Sequence, residues 1–289
     1  MKTKFIVNPI SGTGKQKNIN QLIEKFIDKE KFEYDISFTE RHLHAKEIAK
    51  QAVKDNYELL IAVGGDGTVN EISSQLIGSK VALSIIPAGS GNGLAFHFGI
   101  KRNLTEAILQ LNKSEMRTID SGTANGMSFV NISGIGFGAH ISYLFLNLID
   151  RGFINYLKII FKEINYKAKN YTICYNGIKR KVNAILISFA NATQYGNNFQ
   201  ISPNSKIDDG LIDFVIIKDM SRWKVPYFLF KIAQGKIENC TSVEIIRTES
   251  MEIISNDHII HVDGEPKEIY GNLKVNINKA TLKVFVPNE

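Results

Sequence analysis

Two stretches of this chain are built almost entirely from glycine and small polar residues. Gly64-Gly65-Asp66-Gly67-Thr68-Val69-Asn70-Glu71 sits between an apolar run and a helical pattern. Glycines there let backbone N–H groups approach phosphate oxygens, and the start of the following helix adds a positive dipole end. Three glycines within four residues exceed what a tight turn needs, so the stretch reads as a phosphate-binding loop. It is neither a GxxxxGK[ST] loop nor a GxGxxG fingerprint, so a nucleotide must be held in another way. Pro87-Ala88-Gly89-Ser90-Gly91-Asn92-Gly93 is a second loop of this kind, and Asn8-Pro9-Ile10-Ser11-Gly12 a third. The third is weak alone, because Asn-Pro turns are common. Taken without the rest of the chain, Asp263-Gly264-Glu265-Pro266 is a polar turn between strands, and the stretch from Lys206 to Asp213 contains an Asp-Gly turn.

These loops need elements to hold them. Residues 4–8 read as a buried strand, 34–39 as a second, 59–63 as a continuous apolar strand of the buried parallel type, and 81–86 as another. Helical spacing appears at Ile19, Leu22, Ile23, Phe26 and Ile27, over 44–56, and again over 69–77. Strand and helix alternate, which predicts an α/β layer with a parallel sheet. All three glycine loops then fall at carboxyl ends of strands, where open parallel sheets take ligands. Beyond about residue 120 the pattern changes to short strands at 128–132, 171–175, 181–189, 211–217, 242–248, 251–255, 259–262 and 274–277. Helical patterns interrupt only at 141–164 and 224–232. The second half is expected to be an antiparallel β-sandwich. The domains expected are 1–124 and 125–289, with the last strand free to return to the first.

Composition excludes several classes. The chain has 289 residues, 44% apolar and 22% charged, enough for a core without staples. Cys174 and Cys240 have neither zinc nor disulfide spacing, and the six histidines show no ligand pattern, so a reducing cytoplasm is expected. The apolar run at 5–7 is too short for a signal peptide, and the uncharged stretch 121–149 is broken by glycines, so no transmembrane helix is expected. The net charge of +6 is uneven. Residues 151–181 carry eight Lys or Arg against Glu163 alone, interleaved with aromatic residues. That mixture suits an anionic membrane surface. No nucleic-acid motif accompanies it, so a nucleic-acid partner is not expected.

NPISG at 8–12, GGDGTVNE at 64–71, PAGSGNGLA at 87–95 and VDGEP at 262–266, in this order, resemble the lipid kinases with a diacylglycerol-kinase catalytic domain. That group takes in bacterial diacylglycerol kinases, YegS-like lipid kinases and sphingosine and ceramide kinases. The resemblance covers essentially the whole chain. It implies an NAD kinase/diacylglycerol kinase-like fold, an α/β nucleotide domain followed by a β-sandwich, with the active site between them. It implies ATP and Mg2+ as cofactors and a membrane lipid as substrate, with the protein peripheral at the inner face of the membrane. Asn8, Pro9, Ser11, Gly12, Thr39, Gly64, Gly65, Asp66, Gly67, Thr68, Asn70, Glu71, Gly89, Ser90 and Asn92 are then the nucleotide contacts. Asp66 also organises the phosphate and magnesium network, and Asp120 matches an acid of that network. Glu265 matches the general base that takes the proton of the lipid hydroxyl. Lys206, Asp209 and Leu211 match a loop holding a second, structural magnesium, through one carboxylate and two carbonyls.

The chain departs from the bacterial pattern at three places. Gly93 stands where many members have Asp, Phe96 stands where an Arg is usual, and Leu43-His44-Ala45 replaces Gly-Asp-Ala. These details lean toward the sphingosine-kinase branch. Two alternatives remain open at this point: an NAD kinase-like enzyme sharing the GGDGT loop, and a catalytically silent nucleotide- or lipid-binding regulator. A homodimer also remains open. The 222–230 stretch, with Arg222, Trp223, Lys224, Tyr227, Phe228 and Phe230, is a further candidate for lipid contact.

Overall fold

The computed structural model describes residues 1–12, 15–146 and 153–288. Thr13 and Gly14, which follow the Asn8–Gly12 loop, Arg151 of the basic stretch and the middle of the 141–164 stretch lie outside the described residues. The chain divides into two units, Met1–Ile119 with Ala280–Glu289, and Asp120–Lys279.

The first unit alternates strand and helix: β1 (Lys2–Val7), α1 (Ile19–Phe26), β2 (Glu33–Phe38), α2 (His44–Lys54), β3 (Leu59–Gly64), α3 (Asp66–Leu76), β4 (Ala82–Pro87), α4 (Gly93–His97) and α5 (Leu104–Asn112). The strands lie parallel in the order β4-β3-β1-β2, with Val7 beside Val63 and Gly64 beside Pro87. Both β3 and β4 are buried along their whole length, which explains a composition that is apolar apart from Ser84. Chain order reverses at β1, between β2 and β3, so the loops after β1 and β3 flank a topological switch point. α2 buries Ala45, Ala49 and Ala52, small residues on one face that let it pack against α3. α3 starts three residues before the predicted position 69. Gly67 weakens the sequence signal, but Gly65 as N-cap places Asp66-Gly67-Thr68 in the first turn, where N–H groups need no intrahelical partner.

The second unit holds β5 (Glu115–Ala124, entering from the first), β6 (Met127–Phe129), β7 (Ile132–Gly136), α6 (Phe137–Leu146), α7 (Phe153–Lys162), β8 (Lys169–Tyr175), β9 (Ile178–Ala190), β10 (Ile212–Lys218), α8 (Val225–Ala233), β11 (Val243–Thr248), β12 (Ser250–Ile254), β13 (Ile259–Val262), β14 (Glu265–Glu268) and the first part of β15 (Leu273–Val286). Its strand pairs are antiparallel. Phe129, Tyr171, Phe189 and Phe214 lead the core on one face of β9 and β10, while Val215 and Ile217 point to the other, under α8. The residues thus follow the two-residue period of a strand covered on both faces.

Two strand expectations need correction. The strand at 128–132 is broken, because Val130 and Asn131 give their N–H groups to the Asp263 carboxylate instead of a neighbouring strand. The helical patterns expected at 141–164 are met by α6, which begins earlier at Phe137, and by α7. The strand expected at 274–277 runs to Val286. Ala280, at φ +54, marks where it leaves the second unit, and Val284 then lies parallel to Leu83 of β4. The division between the two compact units falls at Ile119/Asp120. The Asp120 N–H already donates to Ile207 O (2.9 Å), within the second unit.

Candidate functional site

In the first unit the three glycine loops form one packed edge. The Gly64 carbonyl accepts from the N–H of Ala88 (2.8 Å) and Gly89 (3.1 Å), tying the loop after β3 to the loop after β4. Gly65 and Gly89 then touch backbone to backbone, and a Cβ on Gly89 would run into Gly65 Cα. Gly12, in the left-handed region at φ +60, leaves no room for a Cβ against the Ala88 carbonyl. Asn8 Nδ2 donates to Thr68 Oγ1 (3.2 Å), joining the first loop to the start of α3. A Cβ on Gly64 would lie 2.5 Å from that same hydroxyl. Asn8, Gly12, Gly64, Gly65, Asp66, Thr68, Gly89 and Asn92 are therefore brought together.

Asp66 links two of these loops directly. Its carboxylate accepts from the N–H of Asn92 (2.8 Å) and Gly93 (2.7 Å), at the start of α4. Burial pushes this carboxyl above the ordinary aspartate value, against the opposing pull of those N–H bonds. Asn92 adopts φ +62, and its side chain closes on Gly89 through Oδ1 from Gly89 N–H (3.0 Å) and Nδ2 to Gly89 O (2.8 Å). Glu71 is turned elsewhere, and its Oε1 accepts the Leu43 N–H (3.1 Å), bracing the turn beyond Thr39. The Thr39 N–H donates to Val7 O, which sets it beside the end of β1.

Sequence reasoning missed two members of this edge. Gln16 is buried, and its Nε2 donates to Asn8 O (2.8 Å) and Ser11 O (2.7 Å), stitching the first loop together. Arg102 lies with its guanidinium 5.6 Å from the Phe96 ring centre and Nη2 3.5 Å from Ser90 O. An arginine thus reaches the second loop although the usual position holds Phe96. A cation six residues downstream of a phenylalanine was the available signal.

In the second unit, Glu265 opens β14, paired with Val262 across a two-residue turn. Asp263 (φ +47) and Gly264 (φ +88) form that turn, the Asp-Gly sequence that a tight hairpin favours. Asp263 is itself buried and pinned by two N–H groups, Val130 to Oδ2 and Asn131 to Oδ1, both at 2.9 Å. Its own N–H donates to Ser133 Oγ (3.1 Å). The Gly264 N–H points at His261 Nδ1 (3.4 Å). Burial pushes that imidazole down to about 4, keeping it neutral with a lone pair on the acceptor nitrogen. Gly134 and Gly138 leave the space its ring occupies. The Glu265 carboxylate, anchored on this turn, meets Lys267 Nζ at 3.1 Å. The sequence shows Asp263 only as part of the turn motif, without its anchoring role, and gives no role to His261.

The acidic loop is a separate arrangement in the same unit. Buried Asp120 accepts the Gly210 N–H on Oδ2 (2.7 Å), while exposed Asp209 accepts the Leu211 N–H on Oδ1 (3.0 Å). Lys206 and Leu211 flank them. Among the described residues no three His, Cys, Asp or Glu side chains gather as a metal cluster. The donors on offer are one carboxylate and backbone carbonyls, an all-oxygen set of the kind magnesium accepts.

Comparison with known proteins accounts for most of the chain. Residues 2–124 match the diacylglycerol kinase catalytic domain, and residues 146–286 the YegS C-terminal NAD kinase beta sandwich-like domain. A probable lipid kinase YegS-like protein of Chromohalobacter salexigens is 29% identical over 228 residues, covering 76% of this chain and 73% of that one. A diacylglycerol kinase of Staphylococcus saprophyticus is 26% identical over 295 residues, covering 100% of this chain and 96% of its own. The fold is that of a crystal structure of a diacylglycerol kinase from Bacillus anthracis, with a TM-score of 0.77 at 22% identity, covering 99% of this chain and 97% of that one. With an α/β unit whose glycine loops share one sheet edge and a sandwich unit carrying the Asp-Gly-Glu turn, this chain belongs to the family of lipid kinases that carry a diacylglycerol kinase catalytic domain.

Proposed function

We propose that this protein transfers the γ-phosphoryl group of ATP to the hydroxyl of a membrane lipid, with diacylglycerol as the first acceptor to test and a sphingoid lipid as the second. One observation carries the nucleotide half. Three glycine-containing loops converge at a sheet switch point, packed so tightly that Gly12 and Gly89 have no room for a side chain. A surface of backbone N–H groups beside a helix start suits a polyphosphate. The first-turn N–H groups of α3 are the donors that would meet it. The acceptor half is supported by the names of the relatives and by Glu265, a carboxylate on a rigidly held turn.

In this reading the hydroxyl oxygen attacks the γ-phosphorus, its proton passes to a Glu265 carboxylate oxygen, and ADP departs. Asp66 keeps the two glycine loops in register while this happens. The Asp209 carboxylate and the Lys206 and Leu211 carbonyls would hold one magnesium ion, with Asp120 bracing their loop. Magnesium, when bound there, would fix these oxygen ligands and the loop that carries them in place.

The test is ATP consumption with magnesium over mixed micelles of diacylglycerol, sphingosine, ceramide or undecaprenol, with NAD in a parallel well. Phosphate transfer to one lipid is expected, and Glu265→Gln should lower turnover on the order of a thousandfold while ATP affinity stays unchanged. Transfer to NAD alone, or ATP binding with no acceptor, overturns the reading. Equal loss of ATP affinity and turnover in Glu265→Gln removes Glu265 from the proton transfer.

A further inference from the structure

Helix α8 is apolar on two sides, and only one of them is covered. Phe228 and Ile232 pack with Val215 and Ile217 of β10, so Phe228 is part of the core and not of an outer face. On the other side, α8 and the 3-10 turn Arg222–Lys224 before it leave Trp223, Tyr227 and Phe230 at 80%, 58% and 56% exposure. Three large rings left in water on one short element mark a contact surface.

The charges there say what kind of surface it meets. Between residues 220 and 237 the chain carries four basic residues, Arg222, Lys224, Lys231 and Lys236, and no acidic one. Arg222 stacks on the Trp223 ring and Lys231 on the Tyr227 ring, each at 5.3 Å, so cations and rings occupy the same patch. Such a patch complements an interface that is negative at its surface and apolar a few ångströms below. Tryptophan and tyrosine settle at headgroup depth, and lysine and arginine attract anionic headgroups. Among the described residues no helix is long and apolar enough to cross a membrane. A nine-residue helix with this composition suits the surface of a bilayer rather than its interior.

The other basic stretch competes poorly. In residues 153–181, Lys169 is paired with Asp257 and Arg180 with Glu244, and Tyr171 is in the core. Its charge excess in sequence is partly neutralised in space.

We propose that the face formed by Arg222, Trp223, Lys224, Tyr227, Phe230 and Lys231 docks this protein on an anionic lipid bilayer. The inference builds on the lipid-kinase reading, since an enzyme acting on a membrane lipid must reach the membrane. Its test does not depend on turnover.

Trp223 is the only tryptophan in the chain, so intrinsic fluorescence reports this face alone. Vesicles of phosphatidylglycerol and phosphatidylcholine, added without ATP, should shift the emission to the blue, and brominated lipid should quench it. Phosphatidylcholine alone should do neither. Co-sedimentation should weaken about fivefold for each of Arg222→Gln, Lys224→Gln and Lys231→Gln. The loss should be on the order of tenfold for Trp223→Ser, with Trp223→Phe restoring most of it. Turnover on a dispersed short-chain diacylglycerol should be unaffected by these changes. Co-sedimentation with unchanged emission overturns the proposal, because another surface then carries binding. No binding to anionic vesicles overturns it as well, as does a blue shift that grows with protein concentration and needs no lipid. A blue shift on vesicles from a protein that phosphorylates no lipid leaves the docking face standing and removes the kinase reading.

Discussion

Two aspartates in this molecule do the same thing to opposite effect. Asp66 in the first unit and Asp263 in the second each accept two backbone N–H groups at 2.7–2.9 Å. Asp66 reaches out of its own loop to clamp another, and the two loops close until Gly65 and Gly89 touch. Asp263 sits inside its turn and reaches back to the chain between β6 and β7, so the turn is held from beneath while its tip stays open. Gly264 has no atom within 4 Å of the position a Cβ would take. Glycine thus serves close approach in the first region and backbone conformation in the second. The first is a surface made of backbone, suited to oxygens of a phosphate. The second is a platform that presents one side chain, Glu265.

If close approach is the reason for glycine at 89, a single methyl group there should do the most damage. Gly89→Ala has to push Gly65 and its loop away, because the nearest atom, Gly65 Cα, is backbone and cannot swing aside. Overpacking of this kind costs about 1–3 kcal/mol. Apparent ATP affinity should fall on the order of a hundredfold, since the displaced atoms are those that would face the nucleotide. Calorimetric titration with ATP checks this. An unchanged affinity would mean that the packed edge is structural only, and the contrast between the two regions would lose its functional side.

The platform should fail more gently. Asp263→Asn keeps one acceptor oxygen and turns an amide nitrogen toward the other N–H, leaving one buried donor without a partner. Such a loss is worth about 1–3 kcal/mol locally. Turnover should fall on the order of tenfold through a displaced Glu265, while the KM for ATP stays where it was. A rise in that KM equal to the loss in turnover would show that Asp263 does not act through Glu265.

Much of this architecture was legible in the residues, and the gaps have physical causes. The apolar run at 59–63, and the one at 81–86 interrupted only by the small Ser84, identify strands buried on both faces. Asn125-Gly126, Asn176-Gly177 and Asp263-Gly264 each form two-residue hairpins with both φ angles positive, a local property a dipeptide can announce. Contacts between distant residues cannot be announced in this way. Nothing near Val130 foretells that Asp263, 133 residues later, takes its N–H and ends a strand. The same holds for Gln16, whose partners lie in a loop of no fixed spacing, and for Arg102, which reaches the second glycine loop from beyond the helix that follows it. The pairing of Lys169 with Asp257 and of Arg180 with Glu244 is of the same kind: sequence counts charges but not the acids that fold onto them.

The smallest effect is the sharpest test of the comparison. Gly264→Ala introduces a methyl group into open space, so sterically it should be harmless. What it opposes is φ +88, a region an L-residue enters only with strain. That costs about 1 kcal/mol in folding stability. Because Asp263 and His261 hold the turn from below, the strain should be absorbed without moving Glu265, and turnover should stay within about threefold. Denaturant unfolding and steady-state kinetics on the same preparation measure both quantities. A large loss of turnover at small cost in stability would mean that the tip of the turn itself meets the substrate. Gly264 would then belong with Gly89, as a glycine kept for close approach.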